Sequence, residues 1–252
     1  MPSSRTRKAF PPPLSANWRF NGEVTNNNAM PLEQLYDNNR KWSARVHKED
    51  PHFFETLAKQ QSPRYLWIGC SDSRVPANEI VGLAPGEIFV HRNVANLVIH
   101  TDFNCLSVVQ FAVEVLKVQD ILITGHYGCG GVRAALAEPH MGLIDNWLHI
   151  ITLMVEKHRE RLGPREFLPH RLDLLCELNV IEQVRSLCTT TLIRNAWERG
   201  QSLSVHGCIY GLKDGLLHDL QINVSNFAEL DAAYHAAVDR LLIPQGVLVG
   251  SE

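Results

Sequence analysis

The chain has 252 residues, 45% of them hydrophobic and 20% charged, with a net charge of −3. That is length and apolar content enough for one sizeable α/β domain. The near-neutral balance argues against a broad nucleic-acid-binding face, and no apolar run approaches the length a membrane span needs. Six cysteines, at positions 70, 105, 129, 176, 188 and 208, sit in a long chain that opens with no hydrophobic signal segment. This pattern fits reduced thiols and a cytoplasmic location better than a disulfide framework.

Residues 1–30 differ from the rest. Arg5, Arg7, Lys8 and Arg19 precede the first acid, Glu23, and Pro11-Pro12-Pro13 interrupts any helix. A basic, acid-poor opening can be an organelle leader, but the proline run spoils an amphipathic helix and favours a disordered extension. From Pro31 the apolar spacing of Leu32, Leu35, Trp42 and Val46 is helical and predicts an N-terminal arm, continued by Phe53, Phe54 and Leu57. Tyr65-Leu66-Trp67-Ile68-Gly69 reads as a buried strand, Ile88-Phe89-Val90 as a second and Ile121-Leu122-Ile123-Thr124 as a third. Between the last two, Leu106, Val109, Phe111, Val113 and Leu116 predict a helix capped at Thr101 or Asp102. Helices are expected over 143–161 and 174–198, and strands over 203–209 and 216–224 around Lys213-Asp214-Gly215. A last helix is expected over 228–241, capped near Asn226. Strands alternating with helices predict an α/β fold: a single domain, 31–243, with a mostly parallel central sheet flanked by helices and a tail at 244–252.

Two segments carry chemistry. Cys70-Ser71-Asp72-Ser73-Arg74 follows the first strand, and Gly125-His126-Tyr127-Gly128-Cys129-Gly130-Gly131 follows the third. Open α/β sheets place functional groups at the C-terminal ends of parallel strands, so if these strands are neighbours both segments emerge together. Thiolates from Cys70 and Cys129 with the imidazole of His126 suit zinc and leave a fourth position open. Asp72 can supply a carboxylate there or be drawn away by Arg74, which grips carboxylates with paired hydrogen bonds. A lone cysteine at a strand end is usually packing, and a closed structural zinc site would show four Cys/His ligands. A thiolate phosphatase would place its arginine farther from the cysteine.

These two segments resemble the zinc motifs of the β-class carbonic anhydrases. The similarity extends over about 31–243, with 65–76, 86–110, 143–147, 176–184 and 196–200 resembling bacterial members. The resemblance implies one zinc ion on Cys70, His126 and Cys129, hydrating CO2 to bicarbonate and a proton by zinc-bound hydroxide. Asp72, held by Arg74, would be catalytic and also able to take the fourth metal position at lower pH. In bicarbonate-inhibited (type II) members a tryptophan, an arginine and a tyrosine bind inhibitory bicarbonate; Trp67, Arg92 and Tyr210 match them. Cys208 stands where close relatives usually carry tryptophan, so packing beside Tyr210 is expected to differ. The resemblance further implies dimers or tetramers, with the arm gripping a partner or covering its own chain. His91, His100, His149, His158 and His206 receive no catalytic role. Two alternatives share these residues: a carbonyl sulfide or carbon disulfide hydrolase of the same fold, and a non-catalytic regulatory protein that binds zinc and bicarbonate.

Overall fold

The computed structural model describes residues 31–59, 61–137, 141–163 and 168–241. The expected leader at 1–30 and tail at 244–252 lie outside the described residues. The described residues up to Ser62, with Ala84–Gly86, form one compact unit; Pro63–Leu83 and those from Glu87 onward form a second. The expected helical arm makes up most of the first. Helix α1 (Leu32–Glu49) closes at Asp50, whose N–H returns to the Val46 carbonyl at 2.8 Å, immediately before Pro51. Helix α2 (Phe53–Lys59) follows, and the rings of Trp42 and Phe54 meet edge to face at 5.6 Å. Leu32, Leu35 and Tyr36 on α1 are exposed.

The second unit opens with strand β1 (Tyr65–Cys70), then α3 (Ala77–Val81), β2 (Ile88–Asn93), α4 (Phe103–Gln110) and β3 (Asp120–His126). Asp102 is the α4 cap, its carboxylate accepting from the Asn104 N–H at 3.1 Å. The expected helix to Leu116 does continue, but Phe111–Val115 widens to a π turn, with the Leu116 N–H reaching the Phe111 carbonyl at 3.0 Å. Helices α5 (Gly130–Ala137), α6 (Leu143–Lys157), α7 (Arg159–Leu162), α8 (Leu168–Cys188) and α9 (Thr191–Glu198) come next. Strands β4 (Ser204–Tyr210) and β5 (Leu217–Val224) and helix α10 (Leu230–Arg240) complete it.

Two expected helices are each divided. The 143–161 segment breaks at His158, whose ring turns to the Glu182 carboxylate at 2.7 Å. The 174–198 segment breaks at Thr189-Thr190, where Thr190 caps α9 through the Ile193 N–H at 3.4 Å. Both threonine hydroxyls also bond back to α8 carbonyls, competing with helix continuation.

The sheet order is β2-β1-β3-β4-β5, every pair parallel except β4 with β5. The strands that carry the two chemical segments are therefore adjacent. One sheet face is a deep core in which Leu66, Ile68, Ile121 and Ile123 meet Leu175, Leu178 and Ile181 of α8. Each fully buried aliphatic side chain contributes about 1.5–3 kcal/mol by leaving water. α8 lies tight on β3, because a Cβ at Gly125 would come within 2.5 Å of Val180 Cγ2. The glycine before His126 thus lets α8 reach the end of the strand.

Glu182 of α8 organises a polar patch: His158, Lys157 and the Tyr234 hydroxyl all reach its Oε1 at 2.7 Å. Burial alone would raise this carboxyl, but the three partners outweigh it and bring it from 4.5 down to about 2. A depressed native value means stability that is present above pH 4.5 and lost as pH falls through 2. Glu182→Gln is expected to cost roughly 2 kcal/mol at neutral pH, allowing for the solvent around Lys157. Urea unfolding across pH should show wild type and variant converging between pH 4.5 and 2; a constant gap would refute this account.

Candidate metal centre

Parallel pairing of β1 with β3 brings Cys70 and His126 to one end of the sheet. Past His126, the chain is held to β4 by the Tyr127 N–H on the Tyr210 carbonyl at 3.1 Å. It then turns at Gly128, whose φ of +68° suits glycine, and delivers Cys129 just before α5. The sulfurs of Cys70 and Cys129 lie 3.8 Å apart, and the ligand atoms of Cys70, His126 and Cys129 are all within 4.8 Å of one another. All three residues are buried.

The histidine is prepared as a ligand. Its Nδ1 sits 3.0 Å from the Tyr127 carbonyl, which can only accept, so the proton belongs on Nδ1 and the lone pair on Nε2. That Nε2 is buried with no hydrogen-bond partner among the described residues. An orphaned buried nitrogen facing two sulfurs is a costly arrangement for a metal-free core and a natural one for a metal. The thiols agree. The Cys70 thiol is pulled down to about 4, first by the hydrogen bond from Cys129, with help from His126 and the backbone N–H groups of Asp72 and Ala95, against burial. Cys129 is pushed up, first by the thiolate beside it and then by burial. Two thiolates cannot share this space without a cation, and a thiophilic divalent metal supplies the missing charge. The donor set fits zinc.

Asp72 stands beside this trio rather than within it. Arg74 Nε donates to its Oδ1 at 2.9 Å and Nη2 to its Oδ2 at 2.7 Å, and the Arg74 N–H adds a third bond at 3.0 Å. This grip is the main reason the Asp72 carboxyl is held well below the usual carboxylate range. Oδ2 nevertheless lies 3.6 Å from His126 Nε2, at the mouth of the site.

Trp67, Arg92 and Tyr210 are less simply arranged. Trp67 is wholly buried and its indole N–H has no partner among the described residues. Gly69 makes room for the ring, since a Cβ there would fall 2.2 Å from Trp67 Nε1. Tyr210 packs in the same small cluster. Arg92, read from sequence as an anion partner, already donates to the Cys70 carbonyl at 2.8 Å and to the Asp72 carbonyl at 2.5 Å. It braces the Cys70–Asp72 loop with those donors and has others left over.

All six cysteines are free and buried. A second group, His91, Asp102 and Cys105, also gathers ligand-type atoms, with Asp102 engaged as the α4 cap.

Comparison with known proteins agrees with this geometry. A family model for carbonic anhydrase matches residues 65–217, which include both chemical segments. The chain belongs to the β-class carbonic anhydrases. It is an enzyme of CO2 hydration. A carbonic anhydrase of Emericella nidulans is 47% identical over 191 residues, 76% of this chain and 84% of that relative. The structure of the Coccomyxa β-carbonic anhydrase in complex with acetazolamide superposes with a TM-score of 0.76 at 37% identity, covering 81% of this chain and 92% of that one. One of two tetrameric β-carbonic anhydrases from the filamentous ascomycete Sordaria macrospora gives 0.73 at 37% identity, covering 76% and 98%. The β-class fold expected from the motifs is the fold observed. Among the described residues no helix is long and apolar enough to cross a membrane.

Proposed function

We propose that Cys70, His126 and Cys129 hold one zinc ion and that Asp72 and Arg74 are the catalytic pair of a CO2-hydrating centre. The observation that carries this is the buried His126 Nε2, without a hydrogen-bond partner among the described residues, facing two close sulfurs, with the Arg74-held Asp72 carboxylate 3.6 Å away. Zinc supplies the Lewis acidity that ionises water near neutral pH. Asp72, kept ionised by Arg74, is acceptor-only, so it takes the hydrogen bond of the attacking O–H and turns the oxygen lone pair toward the carbon. Arg74 keeps that carboxylate from drifting to the fourth ligand position. The same reading includes a closed state at lower pH, in which Asp72 itself takes the fourth ligand position.

The same reading assigns Trp67, Arg92 and Tyr210 to an inhibitory bicarbonate pocket. The unsatisfied indole N–H is its strongest support, since a buried donor without a partner costs about 1–3 kcal/mol that an anion would recover. Self-association as a dimer or tetramer is favoured by exposed Phe103, Phe111 and Val115 and by the tetrameric Sordaria relatives. Sedimentation velocity that finds only monomer would remove that part.

Stopped-flow CO2 hydration by zinc-loaded protein, scanned across neutral to alkaline pH, tests the centre. Rapid hydration rising with pH is expected, with bicarbonate inhibition relieved in Trp67→Phe and Tyr210→Phe. Inhibition unchanged in both variants would remove the pocket. Turnover of carbonyl sulfide or carbon disulfide without CO2 hydration would reassign the substrate.

A further inference from the structure

The paired part of β3 ends at His126, and three hydrogen bonds fix the residue that follows it. The Tyr127 N–H donates to the Tyr210 carbonyl of β4 at 3.1 Å. The Tyr127 carbonyl accepts from His126 Nδ1 at 3.0 Å, the contact that puts the ring proton on Nδ1 and the lone pair on Nε2. The third bond is remote in sequence: the Tyr127 hydroxyl donates to Oε1 of Glu177, fifty residues further on in α8.

That third bond restrains the other two. Tyr127 lies just past the strand ladder and is followed by Gly128 at φ +68°, so the chain on its far side adds little stiffness. A single bond at the N–H leaves the residue free to swing about it. A second anchor, a ring's length away at the hydroxyl, removes that freedom and keeps the carbonyl against the imidazole. α8 can supply the anchor because it lies tight on β3. A Cβ at Gly125 would come 2.5 Å from Val180 Cγ2 and 3.6 Å from the Cys176 carbonyl, and Glu177 is the next residue after Cys176. The partner on the second nitrogen of a ligating imidazole sets its tautomer, its ring orientation and its basicity toward the metal.

We propose that Glu177 is a positioning residue for the His126 ligand: through the Tyr127 hydroxyl it holds the Tyr127 carbonyl on Nδ1, so that Nε2 keeps its lone pair directed at the metal position. This rests on the assignment of His126 as a metal ligand and extends the centre to a helix that neither motif contains.

The test uses the full-length protein. In the metal-free form, nitrogen NMR of labelled histidine reports which His126 nitrogen carries the proton; zinc affinity is read by competition against a chromophoric chelator. Glu177→Leu removes the acceptor. It is expected to weaken zinc binding about tenfold, the low end for lost outer-shell partners because Glu177 acts through Tyr127, and to mix the two tautomers. Tyr127→Phe should give a similar loss, and the double variant no more, since both remove the same bond. Glu177→Gln still offers an oxygen to the hydroxyl and should stay near wild type. A merely structural role would leave the tautomer unmoved. If Glu177→Leu does not fold, Tyr127→Phe takes its place with the same expected loss. Unchanged affinity with the proton still on Nδ1 in a folded variant, or losses that add in the double variant, overturn the proposal while the metal centre stands. Wild-type protein that takes up no zinc overturns both.

Discussion

Cys70→Ser is expected to fold, to take up no stoichiometric zinc and to hydrate CO2 no faster than buffer. A serine hydroxyl fills nearly the same volume at this buried strand end, so the sheet loses little packing. What it loses is charge. The Cys70 thiol is the one that ionises readily, drawn down to about 4 chiefly by the hydrogen bond from Cys129, whereas an alcohol stays protonated and is a poor ligand. Cys129→Ser should behave alike, and His126→Ala should remove the only nitrogen donor of the trio. Thermal melts with and without added zinc give a readout independent of turnover. Wild type at free zinc about 100-fold above its dissociation constant gains about 2.7 kcal/mol, and the ligand variants gain almost none. A Cys70→Ser protein with full zinc and undiminished turnover would falsify the metal-centre assignment.

The second large effect concerns the carboxylate beside the metal. Asp72→Ala is expected to lower kcat/KM by about a hundredfold, the contribution of a positioned proton acceptor, while leaving zinc content at one per chain. Arg74→Leu should come close to that loss. It does not touch the acceptor, but it removes all the side-chain hydrogen bonds that hold both Asp72 oxygens and frees the carboxylate to move within the mouth of the site. Because the two act as a unit, the double variant should be little worse than Asp72→Ala alone. Independent, additive losses would mean that Arg74 acts on something other than Asp72. An Asp72→Ala enzyme with unaltered turnover would remove the carboxylate from the mechanism while leaving the ligands in place.

Much of this site is local in sequence. Cys70, Asp72 and Arg74 lie within five residues, and His126 and Cys129 within four, so each half of the centre is a short motif. The Asp102 cap and the helical turn capped by Asn226 also follow from side chains acting on their own backbone. The misread elements share a cause. His158 divides a helix because Glu182 lies on another one, and Phe111–Val115 winds as a π turn that no side-chain pattern announces.

Arg92 shows the limit most clearly. By type and neighbourhood it is an anion ligand, yet two of its donors are committed to the carbonyls of Cys70 and Asp72.

By itself, then, the sequence determined the alternation of strands and helices, the donor chemistry and the pairing of an aspartate with an arginine. These depend on residue type and short spacing. Tertiary structure alone decided that β1 and β3 are neighbours, that His126 Nε2 is left buried with no hydrogen-bond partner among the described residues, and that Arg92 is drawn to the carbonyls of Cys70 and Asp72. Those facts arise from contacts between residues distant along the chain. Their energies depend on burial and direction, which spacing along one segment does not encode.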